Sequence, residues 1–250
     1  MASPTTERPP GEFPEMSQHA DEPHGDSLNS LLNKLRAAVL GANDGIVSTA
    51  GLVMGFAGAT ADRQLIFLGG MAGLVAGALS MAMGEYISVS SQRDTERALI
   101  EKETRELADE PEEELAELAD LYRQRGLSDE LAQQVALELT EKDPLRAHLD
   151  IELGIDPDDL TSPWQAAVAS MGSFVLGALL PLLTILLFPA DLRVGVTVVA
   201  VAVALTLTGY LSARVGDAPT RPAVLRNVVG GLLAMAATYG IGSLIGVGLA

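Results

Sequence analysis

The chain has 250 residues, 48% hydrophobic and 20% charged, with a formal net charge of −17 and no cysteine. The acidity points away from nucleic acid, whose phosphates select basic surfaces. The missing cysteine excludes disulfides, thiolate metal sites and a cysteine nucleophile. Charge is also unevenly placed: residues 91–162 hold 22 acids and 8 bases, residues 1–33 hold 6 acids and 1 base, and the rest of the chain holds only 5 acids and 7 bases.

Residues 1–33 are polar, acidic and Pro-rich, and read as a disordered tail. They lack the apolar core and basic lead of a signal peptide, so the first span is expected to act as its own insertion signal. His19 and His24 are read as solvated. Five apolar stretches follow, at 36–60, 64–88, 164–189, 194–213 and 227–250. Crossing the hydrocarbon takes about 20 helical residues. These stretches are apolar all round, and too little amphipathic sequence remains to wrap them as the core of a soluble protein. The expected fold is all-α: five transmembrane helices with a helical insertion between spans two and three. The divisions are the tail, spans one and two (34–90), the insertion (91–162) and spans three to five (163–250).

Tyr86, Trp164 and Tyr210 lie near span ends, where the interface favours them. Lys34, Arg36, Arg93, Arg97, Arg214, Arg221 and Arg226 fall on one side of the membrane, and only Arg63 and Arg193 on the other. This bias puts the N-terminus and the insertion in the cytoplasm.

Nothing near Ser90 breaks the helix of span two, so it can run on into the insertion. Pro111 suits the first turn of the next helix, which Gly126 ends. Ser128 can cap a third helix. Pro144 opens a short fourth that Gly154 stops, and Ser162–Pro163 starts span three.

Three groups of residues carry chemistry. Asp44 lies within span one, where a carboxylate is kept only if it faces a partner, a cavity or an ion path. Helical spacing puts Gly41, Ser48, Gly51 and Gly55 on its face. The alternative is an interfacial acid before a span that starts at Gly45. In span two, Gly70, Gly73, Gly77 and Gly84 share a stripe with Met81, and Glu85 follows one turn later. A thioether is a soft, weak metal ligand, and it is also ordinary apolar filler. In the insertion, Glu103 and Glu106, Glu114 and Glu117, and His148 and Glu152 form pairs at i,i+3 or i,i+4. Helices that converge such pairs make carboxylate-rich sites suited to Fe2+ or Mn2+, whereas an acidic helix face is often only solvated.

LGANDGIVSTAGLVMG in span one and ALSMAMGEYISVSSQRD at the end of span two resemble the two signature stretches of vacuolar iron transporters. The likeness runs over roughly residues 34–250. It implies a five-span homodimer that moves Fe2+ out of the cytoplasm in exchange for protons, along a path between the two first spans. It places the membrane ligands on Asp44 and Met81, and the cytoplasmic glutamates on Glu103, Glu106, Glu114, Glu117 and Glu152. Plant relatives have a glutamate where this chain has Gly73, so the membrane path here is expected either to be less charged or to lean on Glu85. Some relatives have a methionine pair where this chain has His148 and Leu149.

The leading expectation is therefore a metal/proton antiporter rather than an enzyme. Fe2+ is its cargo, with Mn2+, Co2+ and Zn2+ as further candidates, and no organic cofactor is expected. Its partners are membrane lipid, a second copy, metal ions and protons. It would sit in the inner membrane of a bacterial cell or the vacuolar membrane of a eukaryotic one. The alternatives are a membrane-tethered carboxylate-rich protein that binds or oxidises iron, and a scaffold whose acidic domain holds a basic partner.

Overall fold

The computed structural model describes residues 26–249 except Asp159 and Asp217, with side-chain surroundings from Ala37 to Gly246. Most of the stretch read as a disordered tail, residues 1–25, lies outside the described residues. Its end does not remain a tail: helix α1 spans Asp26–Ala59 and begins well before the apolar run. The other helices are α2 (Arg63–Asp109), α3 (Pro111–Gln124), α4 (Asp129–Lys142), α5 (Pro144–His148), α6 (Pro163–Leu187), α7 (Arg193–Val215) and α8 (Thr220–Leu249). Five of them, α1, α2, α6, α7 and α8, are long and apolar enough to cross a membrane. Helix α8 starts at Thr220, ahead of the apolar stretch, because Pro222 is tolerated in a first helical turn.

Helix α1 is the hub, in contact with α2, α6, α7 and α8. Small residues bring backbones together. A Cβ at Gly45 would strike the Phe174 carbonyl of α6, and one at Gly242 of α8 would strike the Gly55 carbonyl of α1. Close approach of this kind is how helices associate where lipid supplies no hydrophobic drive. The neighbours leave one stripe of α1 uncovered: Leu40, Asp44, Ser48 and Phe56 are exposed and Leu52 is half-buried.

The loop joining α1 to α2 is held by two arginines. Arg193, 4% exposed at the start of α7, donates to the Thr60 and Ala61 carbonyls at 3.4 and 3.3 Å. Arg63 donates to the Phe188 carbonyl at 3.1 Å. Arg193 thus serves carbonyls left free beyond the end of α1, and Arg63 one beyond the end of α6. Asp62 caps α2 through the Gln64 amide at 2.7 Å. At the other end of the spans, Tyr86 and Trp164 pack ring against ring, with centroids 4.9 Å apart.

Helix α2 runs unbroken for 47 residues. That is about 70 Å, against a hydrocarbon core of about 30 Å, so its second half stands clear as a mast. The insertion folds around it. Gly126 turns the chain between α3 and α4 with φ 100°, a conformation few other residues adopt, and the Ser128 side chain accepts from the Leu131 amide at 3.4 Å. Leu118, Ala119, Ala136 and Ile151 form a small core. Helix α5 passes into a π-helical turn, Leu149–Leu153, which ends at Gly154 with φ 62°. Such turns are rare and frequently mark functional positions.

The α1–α6 contact gives a direct test. Gly45→Leu should cost about 1–3 kcal/mol by overpacking, seen as a lower melting temperature and a broadened gel-filtration peak in detergent. Gly172→Ala, whose Cβ would meet nothing within 4 Å, should leave both unchanged.

Candidate metal centre and membrane cleft

His148 closes α5 with its ring buried, 1% exposed. Its Nδ1 lies 3.0 Å from Glu103 Oε1 on α2, 3.6 Å from Glu114 Oε2 on α3 and 4.0 Å from Glu152 Oε2 in the π turn. Glu103 and Glu114 are buried as well, and ligand atoms of Glu103, Glu114 and His148 all lie within 4.8 Å of one another. Neither ring nitrogen of His148 makes a hydrogen bond, and neither does Glu103 Oε1. Buried polar atoms are nearly always paired, so converging orphans of this kind fit a cation that would satisfy them together.

The six residues singled out in the insertion do not play equal parts. Glu103, Glu114 and His148 meet at the centre, and Glu152 sits at the rim with 30% of its side chain exposed. Glu106 is drawn aside by Lys102, 2.6 Å away, and Glu117 is exposed. A three-residue step turns a helix by about 300°, so the second glutamate of each i,i+3 pair falls off the centre. Lys102 was missed from sequence. Its only signal is the i,i+4 spacing to Glu106. The π turn has no sequence signal at all.

Electrostatics favour protons on the carboxyls of the centre. Burial pushes Glu103 from 4.5 up to about 7, helped by the carboxylates of Glu152, Glu114 and Glu106 and opposed by Lys102. Glu114 and Glu152 also move up, first through burial and then through Glu117. Burial pulls His148 below its ordinary value, against the opposing pull of Glu117. The imidazole is therefore neutral, as a metal ligand must be, and the displaceable protons sit on the carboxyls.

Asp44, Met81 and Glu85 line one cleft of about 410 Å³ between α1 and α2, with Phe174 of α6 at its side. Gly73, Gly77 and Gly84 of the predicted stripe open it, while Gly70 is occupied by Leu182 and Val53. The space at Gly73 is taken by the Leu52 side chain. The face expected around Asp44 is only partly realised. Ser48 lies beside it and donates to the Asp44 carbonyl at 2.6 Å, but Gly41 faces Ser170 and Ser173 on α6, and Gly51 and Gly55 face Thr238 on α8. The hub position of α1 spends those glycines on packing within the chain. Ser80 and Thr49 also line the cleft and carried no signal at the level of sequence.

Residues 35–243 match the VIT family. The chain belongs to that family. A vacuolar iron transporter of Acanthamoeba castellanii is 41% identical over 224 residues, 89% of this chain and 82% of its own length. Vacuolar iron transporter homolog 4 of Arabidopsis thaliana is 40% identical over 213 residues, covering 85% of this chain and 84% of its own. Vacuolar iron transporter homolog 1 of Oryza sativa is 38% identical over 213 residues, or 85% and 74% of the two chains. With five apolar helices of spanning length, this VIT family member is an integral membrane protein.

The proton load on the centre sets a pH dependence. Glu103 holds its proton up to about 7, and a cation must displace it. Affinity for Mn2+ or Co2+ should therefore fall as pH drops through about 7, by up to roughly tenfold per pH unit for each proton displaced. Glu103→Gln should weaken binding and flatten this slope. His148→Ala should weaken binding and keep the slope above pH 6.5, the ordinary value of a histidine that here titrates lower. Calorimetric titration of the full-length protein between about pH 6 and pH 8 checks both, and a Glu103→Gln protein with the wild-type slope would contradict them.

Proposed function

We propose that this chain exports Fe2+, and Mn2+ as a second cargo, from the cytoplasm across its membrane in exchange for protons, acting as a homodimer. One observation carries the reading: a buried carboxylate–imidazole centre and an intramembrane cleft with a carboxylate and a thioether are built on the same continuous helix. Glu85 and Glu103 lie about 27 Å apart along α2 and a near-whole number of turns apart, so they share a face. Gln92 and Glu96 fall on that face between them and are hydrogen-bonded to each other at 2.8 Å.

In this reading the ion collects at Glu103, Glu114, His148 and Glu152 and displaces their protons. It enters the cleft at Glu85 and reaches Met81 and Asp44. The thioether binds softly enough to let it go, and a proton taken up by Asp44 from the far side releases it. The iron named in the relatives supports the cargo. The Lys and Arg bias supports a cytoplasmic N-terminus and insertion. The membrane is the vacuolar one in a eukaryotic cell, in keeping with the relatives' names, and the inner one in a bacterium.

The uncovered stripe of α1 supports the dimer. Left facing lipid, the Asp44 carboxylate would cost roughly 2.5–3.5 kcal/mol. A second copy laid against Leu40, Ser48, Leu52 and Phe56 would cover it and pair two clefts around one route. A tethered oxidase or iron buffer would use the insertion and leave the cleft without a role, so transport is the better account.

Asp44→Asn keeps shape and removes charge. The variant should insert and dimerise normally in vesicles and lose metal flux by roughly tenfold or more. A pH dye inside wild-type proteoliposomes should respond only when Fe2+ or Mn2+ is supplied. Near-normal flux in the variant would sink the path, and metal flux without a proton signal would make the protein a uniporter.

A further inference from the structure

Most hydroxyl hydrogen bonds in the spans share one habit, Thr208 being an exception that donates to Asn43 Oδ1 at 3.3 Å. Thr184, Thr197, Thr206 and Thr238 donate to the carbonyl four residues earlier at 3.0, 2.7, 2.8 and 2.9 Å, and Ser48 does the same. This is the usual refuge for a threonine hydroxyl in a helix. Thr49 departs from it. The residue is 2% exposed, and its Oγ1 makes no hydrogen bond. It lines the same cleft as Asp44 and Met81. A buried hydroxyl normally finds a partner, and this one forgoes the partner on its own helix.

Its position is specific. Thr49 lies about 7.5 Å further along α1 than Asp44, away from the Glu85 mouth. Beyond it Leu52 fills the space at Gly73. Thr49 is thus the polar cleft residue farthest from the mouth, set just before an apolar closure. A hydroxyl oxygen is a neutral, hard donor that suits Fe2+ and Mn2+ without holding them as a carboxylate does.

We infer that Thr49 Oγ1 is a ligand for the transported divalent cation on the outward side of Asp44, taking the ion from Asp44 and Met81 before the apolar barrier. The inference rests on reading the cleft as the cation route. Beyond that reading, it assigns an outward ligand to a side chain that sequence patterns pass over.

Thr49→Val removes the hydroxyl and keeps the shape, and Thr49→Ser keeps the hydroxyl. The assay is uptake of Mn2+, and of Fe2+ under anaerobic conditions, into proteoliposomes, with Asp44→Asn alongside and melting temperatures in detergent. Thr49→Val should melt at or above the wild-type temperature, because an orphaned hydroxyl is gone, and its flux should fall roughly tenfold. Thr49→Ser should keep most of the flux. Wild-type flux in Thr49→Val, with Asp44→Asn inactive, would overturn the ligand role and leave the route standing. Flux lost equally in Thr49→Val and Thr49→Ser, with a lowered melting temperature in both, would make Thr49 a packing residue and overturn the ligand role too. No flux in the wild-type protein, or full flux in Asp44→Asn, would overturn the route and this inference together.

Discussion

A carboxylate inside hydrocarbon has to be covered, and the placement of Asp44 follows from that requirement. Helix α1 is wrapped by four other spans, so most of its surface is committed to packing within the chain. Asp44 sits on the stripe that they leave open, beside the cleft shared with α2. A fully enclosed carboxylate would have no access for an ion, and one facing lipid would be penalised. A groove that a second subunit can roof satisfies both demands. The glycines that draw α6 and α8 onto the other faces of α1 are what leave this stripe free.

Helix α2 carries the same logic out of the membrane. Without a break from Arg63 to Asp109, it supplies Met81 and Glu85 to the cleft and Glu103 to the buried centre. The insertion lends the remaining side chains of the centre by folding α3, α5 and the π turn against that mast. Its own core is small. Two carboxyls and an imidazole are buried together beside this small core, and burial and mutual repulsion raise the Glu103, Glu114 and Glu152 carboxyls.

The five spans were legible because they are apolar all round, a pattern with little use outside a bilayer. The helices of the insertion were legible from punctuation: Pro111, Gly126, Ser128, Pro144 and Gly154 each do in the structure what their chemistry suggests. Helix starts at Asp26 and Thr220 were not, since polar residues that tolerate a helix look the same whether or not they extend one. At the centre, spacing picked out the helices that converge but could not distinguish Glu103 from Glu106 or Glu114 from Glu117, because that choice depends on the phase of each helix against its neighbours. The same blindness assigned the α1 glycines to the Asp44 face when tertiary packing had claimed them. Thr49 was invisible because an orphaned hydroxyl is defined only by the bonds it fails to make.

The tie made by Arg193 and Arg63 joins four helix ends. It fastens the ends of α1 and α7, and of α2 and α6, on the side away from the insertion, while among the described residues the cleft between α1 and α2 has no such clasp at the Glu85 end. A tilt of α2 about this tie would spread the two helices like tweezers. Along the rod, Met81 is about 27 Å from Arg63 and Glu103 about 60 Å. Any swing that widens the cleft at Met81 therefore carries the buried centre sideways by roughly twice as much, so the long mast is a lever as well as a support.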